Sequence, residues 1–408
     1  MGRGEQLAYQ ALIAVGVAGI LVRLVVIAIS NGSNDMRTWT SFAAHINAQG
    51  LWQTYRDIHY FNHPPLMGLL AAWLMKLSIW LHVPFPFFWK LPPLVADLCA
   101  LRLLWGYFRP QSKLCAAASV ALFSINPISI TITAFHGNTD SICAVLCLYA
   151  AILHRRELPL FAGLALAAAI NVKVFPLVML PGFLLLYRNP WAAIRFLMGI
   201  GFGCLPLVVG CLVVPEFYGN TIRYNSQIDR WGLNAWALYA ERVYPYFFSL
   251  ITEKYRENGR FIILGVITIF ALLGRSVRWD ALRLGAISLS VLLFLAPGFG
   301  VQYMVWPVPL LAAVSLQYSV KWAIFGGSFT VLIYQSFLVK NYWPLRWPLR
   351  TEHNSYINEA VGLLGLCAWA VLGFFLYSQL ILALQDPEFQ RLCRRAGKKL
   401  TAALRLSE

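Results

Sequence analysis

Long apolar runs recur from one end of the chain to the other, and this pattern constrains the fold more than any other feature. Hydrophobic residues make up 59% of the 408 residues and charged residues only 12%, whereas soluble domains have about 45–50% and about 25%. The sequence therefore predicts an all-α polytopic membrane protein. We expect one membrane domain over residues 1–385, followed by a basic cytoplasmic tail over residues 386–408.

The apolar runs predict about twelve membrane-spanning helices, within a range of about 11–13. Several runs are shorter than the roughly 20 residues that a full crossing needs, so we expect those helices to line a water-accessible cavity. The predicted spans are residues 7–30, 85–108, 114–133, 141–153, 158–170, 174–186, 191–214, 261–273, 281–295, 302–316, 322–339 and 360–384.

The distribution of basic residues assigns the two sides of the membrane. Lys and Arg are enriched in cytoplasmic loops, which predicts that both termini and the loop from Arg109 to Lys113 are cytoplasmic. One of the two apolar stretches 66–83 and 85–108 is then not a full crossing. Residues 66–83 carry Lys76 at their centre and two tryptophans, so we expect this stretch to lie in the interface or to re-enter the membrane. The predicted outer loops are residues 31–65, 215–260 and 340–359.

Charge and cysteine usage limit the class of partner. The net charge of +16 comes from short loops and the tail, as contact with anionic lipid requires, so we expect no nucleic-acid partner. The eight cysteines lie mostly in apolar runs without metal-ligand spacing, and such thiols usually serve packing. We therefore predict neither a metal site nor another cofactor, although the sequence does not rule out a divalent metal.

The first outer loop contains the strongest catalytic candidate. Asp35 follows the first span and precedes residues 36–48, whose apolar residues at helical spacing predict an interfacial amphipathic helix that ends at Gly50. A carboxylate beside the membrane surface can act as a general base for an incoming hydroxyl group. The alternative is that Asn34 and Asp35 merely cap this helix.

Two further polar sites are predicted on the same outer side. His136, Asn138 and Asp140 lie in the segment His136-Gly137-Asn138-Thr139-Asp140-Ser141 between two apolar runs. Asp140 is either part of a site or the cap of the next helix. Lys173 lies between two short apolar runs, where a lysine is costly unless it meets water or an anion. A phosphate is its natural partner, and snorkelling at a helix end is the alternative.

The long outer loops are basic and aromatic, against the positive-inside trend. Their charges would suit an anionic lipid phosphate or pyrophosphate, and their aromatic residues suit either sugar faces or an interface belt. Gln302 and Tyr303 could add amide and phenol contacts. Arg23 is expected to snorkel or to face protein, and Asp97 and Arg102 are expected to be intramembrane structure. The basic loop residues are Arg223, Arg230, Arg242, Lys254, Arg256, Arg346 and Arg350.

These motifs together resemble the GT-C superfamily of glycosyltransferases that use polyprenyl-phosphate sugars. The resemblance covers an acidic residue after the first span, then an interfacial helix and Phe61-Asn62-His63-Pro64-Pro65-Leu66. The segment from His136 to Ser141 is similar to the Gly-Gln-x-Asp-Ser element of the mannosyl- and glucosyltransferase branches. Residues 158–186 and 297–309 resemble later elements of the group.

The resemblance implies an inverting transfer of mannose or glucose on the outer face of a membrane. Asp35 would deprotonate an acceptor hydroxyl group, and Lys173, His136 or loop arginines would hold the leaving lipid phosphate. Further substrate contacts are expected from Arg37, His63, Asn138, Asp140, Gln302 and Tyr303. Members of the superfamily often have an acidic residue at the position of Asn62-His63 in this chain. Asp57 lies close by in the sequence and is a candidate substitute for that acidic residue.

The partners implied are a polyprenyl-phosphate sugar donor, membrane lipids and a glycan, glycolipid or protein acceptor. Compact length favours the bacterial inner membrane, with the site facing the periplasm. A lipid-linked-sugar transporter or flippase would share the polar cavity and the short helices, but it predicts repeated halves, and we find none in the sequence. A structural subunit of an envelope-assembly complex would not need Asp35, His136, Asp140 and Lys173 to converge on one side.

Overall fold

The computed structural model describes residues 2–223, 231–232, 245–334, 355–391 and 394. All regular secondary structure in these ranges is helical, which confirms the predicted all-α class. The α-helices are α1 (Arg3–Ile29), α2 (Asn34–Gln49), α3 (Leu51–Asp57), α4 (Pro65–Leu81), α5 (Phe85–Phe108), α6 (Lys113–Ser124), α7 (Pro127–Ile130), α8 (Asp140–Arg155), α9 (Pro159–Val172), α10 (Leu180–Leu186), α11 (Pro190–Gly203), α12 (Leu205–Val213), α13 (Pro215–Phe217), α14 (Pro245–Ser276), α15 (Ala281–Phe294), α16 (Val308–Val314), α17 (Leu316–Lys321), α18 (Gly327–Ile333) and α19 (Ser355–Gln385).

Three helical segments in the described ranges are long and apolar enough to cross a membrane: Arg3–Ile29, Thr252–Ser276 and Ala360–Gln385. Two bent pairs raise this number to five if each pair is one span. Lys113–Ser124 and Pro127–His136 meet at 45°, and Pro190–Gly203 and Leu205–Val213 meet at 47°. The chain is therefore a helical membrane protein, and the count of about twelve spans stays a prediction.

Besides the breaks in the predicted spans 114–133 and 191–214, two further helix boundaries differ from expectation. Helix α14 begins at Pro245 rather than at residue 261, so the last part of the predicted outer loop 215–260 is helical. Helix α3 was not predicted, because its seven residues are too few to show a periodic pattern. The helix predicted over residues 36–48 is confirmed: α2 ends at Gln49, and Gly50 follows it with a φ of 87° that is readily accessible only to glycine; its position at the membrane interface stays a prediction.

Two glycines let α9 and α11 touch through their backbones. A Cβ atom on Gly163 would lie 2.2 Å from the carbonyl oxygen of Phe196, and one on Gly199 would lie 2.2 Å from that of Leu160. Small residues allow this approach, which is a common basis of helix association in membranes. Helices α8 and α9 also pack together and are joined by a short turn. The start of α8 and the end of α9 therefore lie at one end of the bundle.

A buried ion pair connects α1 to α5. The Arg23 guanidinium is 1% exposed and donates from Nε to Oδ2 of Asp97 at 2.8 Å. It also donates to the Ser129 hydroxyl and to the backbone carbonyls of Phe123 and Ser124. Arg23 thus faces protein rather than snorkelling. Asp97 pairs with Arg23 and not with Arg102, which is exposed on α5.

We predict that Asp97→Asn destabilises the protein by about 3–5 kcal/mol, because it leaves a buried guanidinium without its counter-charge. The double variant Arg23→Met/Asp97→Leu should recover most of this loss. Thermal unfolding of the purified protein in detergent measures both effects. Lys254→Gln removes an exposed pair with Glu257 and serves as the control, and it should leave the unfolding temperature nearly unchanged because exposed ion pairs contribute little. Equal losses in Asp97→Asn and Lys254→Gln would contradict the prediction.

Candidate active site

Asp35 lies in the first turn of α2, and its carboxylate does not cap the helix. The N-cap of α2 is Ser33, whose hydroxyl accepts a hydrogen bond from the Asp35 backbone N–H at 3.3 Å. The alternative in which Asn34 and Asp35 cap the helix is therefore wrong. The Asp35 side chain is 48% exposed, and the positive end of the helix dipole favours its ionised form.

His136 lies against this carboxylate. It ends a π-helical turn, Thr131–His136, that continues α7, and its Nε2 lies 3.2 Å from Oδ2 of Asp35. Its Nδ1 is hydrogen-bonded to the hydroxyl of Ser33. Because the ring is 4% exposed and held at both nitrogens, it fixes the position of Asp35 relative to the bundle.

Asn138 completes the contacts around Asp35. Its Oδ1 accepts a hydrogen bond from the Asp140 backbone N–H at 3.1 Å, which points its amide nitrogen towards Asp35 at 3.5 Å and His136 at 2.9 Å. Nε2 of His136 therefore has two neighbours but can make only one of these bonds at a time. With a proton it donates to Asp35, and without one it accepts from Asn138.

Asp140 and Lys173 form a second polar pair. Asp140 is the first residue of α8 and fully buried, and both of its oxygens lie 3.0 Å from Nζ of Lys173, which follows α9. The indole N–H of Trp306 donates to Asp140 at 2.6 Å. The carboxylate of Asp140 is thus occupied. The Lys173 side chain keeps 18% exposure and lies 4.8 Å from the ring of Tyr303.

His63 joins the cluster from the segment before α4. Its ring packs 4.3 Å from that of Trp39, centroid to centroid, and its Nδ1 is buried without a hydrogen-bond partner among the described residues. The phenol oxygen of Tyr334 is likewise buried and unpartnered within those residues, and its ring packs 5.1 Å from that of His136. A buried polar atom left unpaired is costly, so both atoms are candidate contacts for a bound ligand.

The electrostatics favour an ionised Asp35 beside a neutral His63. Burial raises the pKa of Asp35, but His136, Lys173 and His63 together lower it by more, so the pKa falls below its ordinary value of 3.8. Burial and then the charge of Lys173 lower the pKa of His63 to about 3. Asp35 is therefore a carboxylate, and His63 an uncharged imidazole, throughout the neutral range.

The other predicted site residues are placed differently. Arg37 is exposed on α2, two residues after Asp35, a spacing that puts the two side chains on different faces of the helix. The amide of Gln302 folds back over Gly300 and is half-buried. Asp57 pairs with His45 at 3.3 Å on α3, away from the cluster. Of the basic loop residues, Arg230, Arg242, Arg346 and Arg350 lie outside the described residues.

Four residues of the cluster were missed or undervalued in the sequence: Ser33, Trp306, Tyr334 and Trp39. A serine two positions before Asp35 is a recognisable N-cap signal. The two aromatic rings nearest Lys173, Tyr303 and Trp306, stack at 4.2 Å between centroids, and their adjacency to Lys173 arises only from tertiary packing. Within the described ranges, no group of three His, Cys, Asp or Glu side chains is placed to hold a metal ion.

Gly137 is the turn on which the positions of His136 and Asn138 depend. Its φ is 70°, and a Cβ atom there would lie 2.7 Å from Cε of Met36 and 2.9 Å from Cγ of Lys90. We therefore predict that Gly137→Ala costs about 1–3 kcal/mol, measured by thermal unfolding in detergent.

Gly201→Ala is the matched control for this substitution, because a Cβ atom at Gly201 meets nothing within 4 Å in helix α11. It should leave the unfolding temperature unchanged or raise it slightly. A Gly137→Ala variant as stable as Gly201→Ala would show that the turn tolerates a side chain.

Comparison with known proteins places this site in a family. No curated protein matches the chain in a sequence search. The model of glycosyltransferase family 87 matches residues 60–298, more than half of the chain. The matched range contains His63, the segment from His136 to Ser141, and Lys173, whereas Asp35 precedes it. The chain therefore belongs to glycosyltransferase family 87, a GT-C-type family of membrane glycosyltransferases.

Proposed function

We propose that this membrane glycosyltransferase moves a hexose, mannose or glucose, from a polyprenyl-phosphate donor to a hydroxyl group of a glycan, glycolipid or protein. The observation that carries the proposal is the convergence of one half-exposed carboxylate, Asp35, with a partly exposed amine, Lys173, in an otherwise buried cluster. A base for the acceptor and a cation for the leaving phosphate are the two groups that such a transfer needs.

Asp35 is the base in this proposal. Its carboxylate takes the proton of the acceptor hydroxyl as that oxygen bonds to the anomeric carbon of the sugar. The other acids are less suitable, because Asp140 is fully buried and bonded to Lys173 and Trp306, and Asp57 is paired with His45. Because about half of the Asp35 side chain is exposed, an acceptor can reach its carboxylate from outside the bundle.

His136 and Ser33 position this base. A Ser33 hydroxyl that donates to Nδ1 leaves the proton on Nε2, which then donates to Asp35 and holds its carboxylate in the ionised form. When Asp35 accepts the acceptor's proton, it loses its negative charge and the hydrogen bond from the Nε2–H of His136 is weakened.

Lys173 and His63 bind the donor phosphate. As the bond from the anomeric carbon to the phosphate oxygen breaks, negative charge accumulates on the phosphate, and a fixed cation stabilises it. Lys173 is held in place by Asp140 and by the ring of Tyr303. Neutral His63 can donate one hydrogen bond to a phosphate oxygen, which would satisfy its buried nitrogen.

Asp35 is the accessible carboxylate of the cluster that the described residues form, and this supports inversion by direct displacement, since a retaining double displacement needs a separately placed nucleophile. We expect Arg37, Asn138, Gln302 and Tyr303 to contribute substrate contacts, and we expect transfer without a metal or another cofactor. We place the site on the periplasmic face of a bacterial inner membrane, within about twelve spans. A lipid-linked-sugar transporter is the second candidate, because the same cluster could bind a donor without turning it over.

We predict that Asp35→Asn lowers the transfer rate by about 10²–10⁴-fold, the usual contribution of a general base, while donor binding persists. The measurement is transfer of radiolabelled sugar from a panel of polyprenyl-phosphate donors, with purified protein in liposomes. Asp57→Asn is the matched control and should keep nearly normal activity. Full activity in Asp35→Asn would remove Asp35 as the base, and donor binding without turnover in the wild type would favour the transporter.

The pH profile should show the influence of His136 on Asp35. The base must be unprotonated, and its pKa is below the ordinary value, so wild-type kcat/KM should persist as the pH falls towards 4. In His136→Ala the lowering influence is lost and burial remains, so the acid limb should move to higher pH. His45→Ala, which removes a histidine from Asp57, should leave the limb in place. An unmoved limb in His136→Ala would contradict this assignment.

A further inference from the structure

A polar cavity lies at the end of the bundle opposite the Asp35 cluster. It has a volume of about 830 Å³ and is formed by the α8–α9, α10–α11 and α14–α15 connections. Helix α8 starts at Asp140 in the catalytic cluster and ends at Arg155 in this cavity. Sixteen residues of α-helix span about 24 Å, so the two sites are separate.

Arginine dominates the lining of this cavity. Five arginines face two acids, Glu157 and Asp280. Among described cavity residues, Asp280 is paired with Arg155 at 2.8 Å, so its charge is already used. The cavity therefore carries a net positive charge and suits an anion. The arginines are Arg155, Arg188, Arg195, Arg275 and Arg278.

Two of these arginines have no structural partner among the residues that the structure describes. Arg275 donates to the carbonyl oxygens of Leu185 and Tyr187, and Arg278 pairs with Glu388 at 2.9 Å. Arg188 and Arg195 are exposed and make no hydrogen bond or ion pair within the described part of the chain. Their guanidinium groups are free to form the bidentate bonds that phosphate oxygens accept.

The surroundings of the cavity indicate where the anion comes from. Helix α11 carries Trp191 and Arg195 on the cavity lining and continues into an apolar surface. On that helix Trp191 is 71% exposed, and Ile194, Met198 and Phe202 are also exposed. Exposed apolar side chains on a helix of a membrane protein face lipid. A tryptophan between apolar and charged surfaces is typical of the lipid headgroup region.

The cavity also lies on the side of the basic tail, because Glu388, just after α19, pairs with Arg278. We propose that this cavity binds the phosphate headgroup of an anionic membrane phospholipid, with Arg188 and Arg195 on the phosphate and the acyl chains along α11. The ligand class is a phosphate-bearing anion, and the adjoining apolar face selects a lipid over a free ion. The site stands independently of the catalytic proposal.

Native mass spectrometry of the full chain, delipidated in detergent and titrated with phosphatidylglycerol or phosphatidylcholine, tests this. Wild type should prefer phosphatidylglycerol, and Arg188→Gln/Arg195→Gln should bind it about thirtyfold more weakly. The matched control is Arg109→Gln/Lys113→Gln, which removes the same charge from exposed positions at the same end but outside the lining. It should bind as wild type does. Unchanged unfolding temperatures in both variants verify that each is folded.

Three results would overturn the proposal. Equal weakening in both double variants would show a general surface charge effect rather than a site. Equal binding of phosphatidylglycerol and phosphatidylcholine would show that the arginines do not select an anion. Displacement of bound phosphatidylglycerol by millimolar inorganic phosphate, with the same dependence on Arg188 and Arg195, would identify a site for a free anion instead of a lipid.

Discussion

The ion pair between Asp140 and Lys173 is the interaction on which the candidate active site depends. An unpaired lysine or aspartate buried in an apolar bundle would be strongly destabilising, so each residue requires the other where the start of α8 meets the end of α9. With both oxygens of Asp140 committed to Lys173, the amine is held close enough to lower the pKa of both Asp35 and His63. The pair therefore places a cation near Asp35, the accessible carboxylate of the cluster that the described residues form.

A second buried ion pair, between Arg23 and Asp97, holds together the helices that position Asp35 and His136. Arg23 and Asp97 connect α1 to α5, and the same guanidinium holds the end of α6 through backbone carbonyls. Asp35 follows α1 closely, and His136 closes the turn that follows α6 and α7. The distance from Asp35 to His136 is thus set by helices whose contact is fixed by charge rather than by shape alone.

The two ends of the bundle have different chemistry. One end contains a mostly buried cluster in which Asp35 is half-exposed and Lys173 partly exposed, an arrangement that suits the proposed transfer. The other contains an open cavity with an excess of arginine, which suits a bound headgroup. Helices α8 and α9 connect the two ends, and the backbone contact at Gly163 and Gly199 fixes α9 against α11. One rigid set of helices therefore supports both sites.

The sequence alone determined the helical membrane class, the amphipathic α2 and the candidacy of Asp35, His136, Asp140 and Lys173, because hydrophobic runs, caps and costly buried charges are local signals. Tertiary structure decided which charges pair. Arg23 lies 74 residues from Asp97, and Trp306 lies 166 residues from Asp140, and no periodicity encodes such contacts. It also separated Asp35, which is accessible, from Asp140, which is committed to Lys173, because exposure and pairing are properties of the packed bundle.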